Sequence, residues 1–226
     1  MRGRWVLTGS AVAALAFGVA APAALRTRAP GSTPPFLVGD SCRSDDPARI
    51  CLALKYVVYN DGAGPVVSRE DAIRNLKQIN SLWGQCGIQF QIEQYVALDP
   101  AESRLAFRTS NYPELDDIRN RLGEPRSLLL VTTGAWNRSG SLGNTTANAW
   151  TAMPNSAPYG VVMEKPVGTY ANIIAHELGH YLNLLHVHDN SNLMNPIIYT
   201  RSTVIPREQC VTARQAAGYF WQAAWR

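Results

Sequence analysis

A chain of 226 residues, 46% of them hydrophobic, is long enough for one ordinary domain with its own core in addition to a targeting segment. The formal net charge of +4 loses two positive charges if Arg2 and Arg4 are removed with that segment, and no Lys/Arg-rich run follows. This balance excludes nucleic acid as an expected partner.

The first 24 residues have the pattern of a secretory signal peptide. Two arginines precede an Ala/Val/Leu-rich run, and small residues between Ala20 and Ala24 suit cleavage. The alternative is an uncleaved anchor, because Trp5 to Leu25 carries no charge and is long enough to span a bilayer. In both cases we expect the rest of the chain to be extracytoplasmic, with a membrane as partner only if the anchor is retained.

Residues 25–48 are rich in proline, serine and charge, and they predict a tether or a short pro-segment without a core. From residue 49 the pattern changes to alternating strand and helix signals. We therefore expect one folded domain over residues 49–226, as a monomer.

The first half of this domain predicts a strand, a helix and a second strand. Residues 50–60 form a β-branched and aromatic run that ends at a turn. Ser68 is a helix N-cap, with Asp71 three residues later as a variant of the capping box, and apolar residues then recur at helical spacing. Residues 88–98 alternate between apolar and polar, which is typical of a half-buried strand.

Next come a short amphipathic helix over 113–123 and a buried strand over 127–133. Residues 134–160 are loop-rich, and residues 157–165 predict one more strand. This order of elements predicts an α+β fold, with a mixed sheet packed by two helices and a further helix after it.

Four cysteines in an exported chain predict two disulfides. Three pairings are possible. The short separation of Cys42 and Cys51 favours a local loop, which leaves Cys86 to pair with Cys210.

All four histidines lie within thirteen positions, beginning on a predicted helix over 169–183. His176 and His180 are four residues apart, so both imidazoles can bind one metal ion from the same helix face. Glu177 follows the first of them and can act as a general base on a water at that ion. The arrangement is that of two zinc ligands and a base.

A catalytic zinc site usually has three protein ligands and one position for water. A helix cannot supply the third ligand after His180 without ending. Asn183 stands where the chain must bend, and asparagine tolerates the left-handed conformation that ends helices. His186 then supplies the third imidazole.

These residues, followed by SNLMNP with Met194, resemble the motif of the metzincin zinc peptidases, H-E-x-x-H-x-x-G-x-x-H with a Met-turn. The spacing to Met194 is most similar to the matrixin branch, although Asn183 replaces the family glycine. The resemblance implies a twisted mixed sheet with two helices, an active-site helix, and a small C-terminal subdomain with a long helix, here 207–225. It also implies that Met194 lies beneath the metal as a hydrophobic floor.

The function implied is a secreted zinc endopeptidase that acts on protein or peptide substrates, with Zn²⁺ as cofactor. Structural calcium is not predicted either way. Glu177 would take a proton from the attacking water and pass it to the leaving amine. An extended substrate would add a strand at the sheet edge, for which residues 159–162 are the candidate segment.

Two alternatives remain at this stage. One is a non-catalytic zinc-binding module, against which Glu177 argues because a structural site has no need of it. The other is a gluzincin-type peptidase with Glu208 as third ligand. Among the neighbouring residues, we expect His188 to be solvated or to support the site, and Asp189 and Tyr199 to be non-ligands.

Overall fold

The structure, a computed structural model, describes Cys42, Asp46 and residues 48–226, so the predicted signal segment 1–24 and nearly all of the tether 25–48 lie outside the described residues. No helix in the described part is long and apolar enough to cross a membrane. The described strands are β1 (Ile50–Tyr59), β2 (Ile88–Leu98), β3 (Leu128–Thr133), β4 (Ala149–Thr151) and β5 (Val161–Glu164). The described α-helices are α1 (Arg69–Trp83), α2 (Tyr112–Leu122), α3 (Ala171–Tyr181) and α4 (Arg207–Phe220).

The strands form one mixed sheet in the order β2-β1-β3-β5-β4. β2, β1, β3 and β5 are parallel, and β4 runs antiparallel to β5 at the edge. The expectation of a mixed sheet in an α+β fold is confirmed.

The sheet is covered on both faces, as the alternation along β1 shows. Its even-numbered residues from Leu52 to Val58 pack in a core with α1, α3 and α4. Val57 and Tyr59 face the opposite side and pack with the apolar face of α2. Since successive side chains of a strand point to opposite faces, α3 lies on the side of α1, and α2 lies across the sheet from both.

The start of α1 is the one that the sequence predicts. The Ser68 hydroxyl accepts a hydrogen bond of 3.1 Å from the backbone N–H of Asp71, which satisfies one of the free donors of the first turn. At the other end of α1, the indole of Trp83 donates to the carbonyl of Ala175 on α3 at 3.1 Å. This hydrogen bond ties the two helices together within the core.

The expected substrate edge is wrong. Residues 159–162 run into β5, which is paired on one side with β3 and on the other with β4, so it is not an edge. The edge strand beside β5 is β4, inside the stretch predicted to be loop. It has only three residues, and its strand conformation depends on pairing with Val161–Met163, a contact that local sequence does not encode.

The last helix is shorter than the predicted 207–225. α4 ends at Phe220, and a 3-10 turn follows at Gln222–Ala224. The two tryptophans after the helix make side-chain hydrogen bonds to backbone carbonyls. The indole of Trp221 donates to the Tyr181 carbonyl at 2.8 Å, and that of Trp225 donates to the Ala217 carbonyl of α4 at 3.1 Å. These hydrogen bonds replace the last helical turn.

The two disulfides join Cys42 to Cys51 and Cys86 to Cys210, which confirms the pairing favoured by spacing and leaves no free cysteine. The second disulfide fastens α4 to the segment after α1 across 124 residues of sequence, whereas the first spans 9. A disulfide therefore holds the C-terminal helix to the sheet-bearing half of the domain.

Because a longer closed loop removes more entropy from the unfolded chain, the Cys86→Ser/Cys210→Ser variant should lose about 2 kcal/mol more unfolding free energy than Cys42→Ser/Cys51→Ser. Urea denaturation of the two variants beside the wild type measures this difference. Equal losses in the two variants would contradict the expectation.

Candidate metal centre

The first two histidines project from one face of α3. His176 is 4% exposed, and His180 is partly exposed at the end of the helix. Their Nε2 atoms are 3.1 Å apart, as expected for side chains four residues apart on a helix. The helix thus supplies two of the three nitrogen atoms from one face.

The turn after α3 has the bonding of a Schellman motif. Asn183 has a φ of +65°, which is left-handed. Its N–H donates to the carbonyl of His180 at 3.0 Å, and the N–H of Leu184 donates to the carbonyl of Gly179 at 2.9 Å. Asn183 thus stands directly after the end of the helix in a left-handed conformation. The reversal allows the chain to return toward the helix face that carries His180.

His186 completes a triangle of imidazole nitrogens. Its Nε2 lies 3.1 Å from that of His180 and 3.3 Å from that of His176. Nitrogen ligands at zinc distance in a tetrahedral site lie roughly 3.3 Å apart, so the triangle has the size of one face of such a tetrahedron. The three histidines form a group that fits a metal ion.

The Nδ1 atoms of two of these histidines contact backbone carbonyls. His176 Nδ1 lies 2.8 Å from the carbonyl of Leu193, and His180 Nδ1 lies 2.7 Å from that of Leu184. A carbonyl can only accept, so these contacts place the proton on Nδ1 and leave a lone pair on Nε2. Lone pairs that converge at this distance repel one another unless a cation lies between them.

Burial keeps these imidazoles neutral. Burial, and next the neighbouring His180, lowers the pKa of His176 to about 3. Burial likewise lowers the pKa of His180 to about 4, although the hydrogen bond to Leu184 opposes this shift. The pKa of His186 is also lowered, by burial and then by His188. A neutral imidazole is the form that binds a metal.

A tight turn around Met194 packs against α3. Met194 is fully buried, and its backbone N–H donates to Asn192 Oδ1 at 2.8 Å. The Asn195 N–H closes the turn on the Asn192 carbonyl at 3.1 Å. A Cβ added at Gly179 would overlap the Met194 sulfur, so the methionine lies directly against α3. The turn also presents the Leu193 carbonyl to His176.

Glu177 is buried next to the histidine triangle. Burial raises the pKa of its carboxyl to about 7, and a hydrogen bond from Thr151 and the charge of Arg119 oppose this shift. Thr151 donates its hydroxyl proton to Glu177 Oε2 from the edge strand β4. The carboxylate is therefore in contact with the sheet edge as well as with α3.

An open cleft of about 680 Å³ lies along β4 and ends at His180 and His186. Most of its wall is apolar, with Glu177 and Thr151 among the polar groups. The larger side chains that line it are Tyr112, Trp150, Met153 and Leu185. An extended chain placed in this cleft would run beside the free edge of the sheet.

The other residues that the sequence offered as possible metal ligands lie outside the group of three histidines. In the described part of the chain, the candidate metal-binding group contains neither His188 nor Asp189 nor Glu208. His188 is exposed, Asp189 accepts hydrogen bonds from Ser191, and Glu208 is exposed in the first turn of α4. Tyr199 lies at the N-terminal end of α3, where its carbonyl contacts Asn172 at 3.5 Å.

Sequence reasoning missed two residues of the site, Thr151 and Arg119. Thr151 stands in the stretch predicted to be loop. Arg119 has the appearance of a polar residue on an amphipathic helix, yet it is 4% exposed and donates to the carbonyls of Trp150 and Gly160. One local signal exists, Asp116 three residues earlier, which pairs with Arg119 at 2.8 Å.

No protein-family model and no curated protein matches this sequence. Among solved structures, its fold is similar to that of metalloproteinase-II from Bacteroides fragilis, with a TM-score of 0.50 and 13% sequence identity. The similarity covers 82% of this chain and 59% of that one, so the chain spans less than two thirds of the neighbour's length. At this identity the comparison shows a metalloproteinase-like fold and nothing finer.

Gly179→Ala should lower the free energy of unfolding by about 1–3 kcal/mol, because the new methyl group meets the buried Met194 sulfur. The matched control is Gly218→Ala on α4, where the nearest atom to an added Cβ is 3.9 Å away and alanine favours the helix. Denaturant unfolding of both variants tests the contact, and equal effects would contradict it.

Asn183→Ala should lower the free energy of unfolding by about 1 kcal/mol or more, since alanine resists the left-handed conformation, whereas Asn183→Gly should be neutral or stabilising. Zinc affinity should follow the same order, because the turn carries His186 and the Leu184 carbonyl. Thermal unfolding and zinc titration of the two variants provide the test. An alanine variant as stable as the glycine variant would disprove the role of the turn.

Proposed function

We propose that this chain is a secreted, zinc-dependent endopeptidase of the metzincin type, most similar to the matrixin branch. The observation that carries the proposal is the convergence of three imidazole Nε2 atoms, 3.1–3.3 Å apart, beside a buried carboxylate. The metalloproteinase-like fold and the open cleft along the sheet edge support it.

His176, His180 and His186 would hold the zinc ion. Within the described residues, no further histidine, cysteine or acidic side chain joins this group. A structural zinc site fills all four positions with protein, whereas a catalytic site keeps one open. The three-histidine set therefore favours a catalytic centre over a non-catalytic binding module. A bound zinc ion would supply an activated water and polarise the scissile carbonyl.

Glu177 is the proposed general base. It follows the first proposed ligand on α3, and the residue as a whole is 7% exposed, so little solvent competes for it. In the proposed reaction it accepts the proton of the attacking water and then delivers it to the leaving amine. Met194 would keep the floor of the site apolar and rigid.

The substrate would be a protein or peptide bound in extended form. β4 is hydrogen-bonded to β5 along one side, and its other side borders the cleft. A peptide could add to it by main-chain hydrogen bonds, with its apolar side chains against Trp150, Met153 and Leu185. In this proposal β4 is the substrate-binding edge of the sheet, in place of residues 159–162, which the sequence had indicated.

The proposed domain organisation is a signal peptide over 1–24, a tether or pro-segment over 25–48 and a catalytic domain over 49–226, acting as a monomer. The two disulfides suggest an extracytoplasmic location, because such bonds persist in oxidising compartments.

The wild-type chain, recovered after secretion into an oxidising compartment, should contain about one zinc per chain and cleave reduced, alkylated casein. Glu177→Gln should keep the zinc but lose at least about 100-fold in kcat, because the amide cannot accept the proton. Zinc analysis and a casein assay on the same preparations measure both properties.

His186→Ala and His188→Ala form a matched pair for the ligand assignment. The first should lose zinc and activity, and the second should retain both, because His188 stands outside the ligand group. A zinc-free wild type, or full activity in Glu177→Gln, would refute the proposed function.

A further inference from the structure

Glu177 is contacted from across the cleft by one side chain of the edge strand. The hydroxyl of Thr151 donates to Glu177 Oε2 and also lies 3.3 Å from the Glu177 backbone carbonyl. A hydrogen bond to a carboxylate is shorter and stronger than one between neutral groups, so the carboxylate is the better acceptor of the two.

The direction of the Thr151 side chain follows from its register in β4. The two residues before it in β4 point to opposite faces of the sheet. Ala149 packs with the core that contains α3, and Trp150 packs with the opposite core, its ring centroid 4.9 Å from that of Tyr112. Thr151 is two residues after Ala149, so it shares the face toward α3. The hydroxyl is thus aimed at Glu177 by the strand and not by loop conformation.

The strand is itself fixed in place by a buried guanidinium. Arg119 donates from Nη2 to the Trp150 carbonyl at 2.8 Å and from Nε to the Gly160 carbonyl at 3.0 Å. These bonds join α2 to both β4 and the start of β5. The residue before Thr151 therefore has little freedom to move along the cleft.

We propose that Thr151 is the positioning residue for the general base, a role that rests on the proposed function. By occupying Oε2, its hydroxyl fixes the rotation of the carboxylate and leaves Oε1 to take the proton. A base held in its reactive orientation avoids a reorientation step during the reaction. Thr151 acts through Glu177 and has no direct contact with the reacting atoms.

Thr151→Val, which has the same shape but no hydroxyl, should lower kcat by about 10- to 100-fold with KM and zinc content unchanged. Thr151→Ser restores the hydroxyl and should remain within about threefold of wild type on the same reasoning. The matched control is Thr145→Val, since the Thr145 hydroxyl donates to the Leu142 carbonyl and not to Glu177. Steady-state kinetics on a fluorogenic casein peptide, with zinc analysis, separate these effects.

A second measurement is independent of activity. In the metal-free protein, Thr151→Val should lower the thermal midpoint of unfolding, because it leaves the buried carboxyl group of Glu177 without its hydrogen-bond partner. In a Glu177→Ala background the same substitution should cause no further decrease.

Additive decreases in the midpoint, or a Thr151→Val enzyme as active as wild type, would overturn the role of Thr151 while leaving the peptidase proposal intact. A zinc-loaded wild type that cleaves nothing would overturn both. A Thr151→Ser variant as impaired as Thr151→Val would show that the residue serves packing and not positioning, and would also overturn the proposal.

Discussion

After His180 the chain has to reverse direction within six residues, or the third imidazole cannot meet the two on the helix. The left-handed Asn183 makes this reversal, and the hydrogen bonds of the turn satisfy the last carbonyls of α3. The same turn brings the Leu184 carbonyl to Nδ1 of His180 and directs that ring. One helix end therefore both delivers a ligand and orients another.

The rest of the domain holds α3 in position from several sides. The buried Met194 lies against it at Gly179, where only a glycine leaves room for the sulfur. The Trp83 indole binds its backbone at Ala175 from the side of α1. From the sheet edge, Thr151 reaches the carboxylate between the two helical histidines. The helix is thus fixed to the core, to the methionine turn and to the strand that borders the cleft.

Local chemistry could be predicted from sequence, and long-range pairing could not. The helix spacing of His176 and His180 and the left-handed turn at Asn183 depend on residues close in sequence, so the sequence can indicate both. β4 has three residues whose conformation depends on β5, and Arg119 is buried because acceptors 31 and 41 residues away meet it. The contact of Thr151 with Glu177 could not be recognised from the sequence, because it depends on the pairing of β4 with β5 and on the burial of Arg119. A donor or acceptor that becomes adjacent only in the folded chain leaves no local pattern.

The central claim, that three imidazole nitrogens hold one zinc ion, is tested most directly by X-ray absorption at the zinc K edge of the purified protein. The expected spectrum has three imidazole nitrogens at about 2.0–2.1 Å from the zinc ion with one further light atom. A spectrum with sulfur in the coordination sphere, or with fewer than three imidazoles, would contradict it.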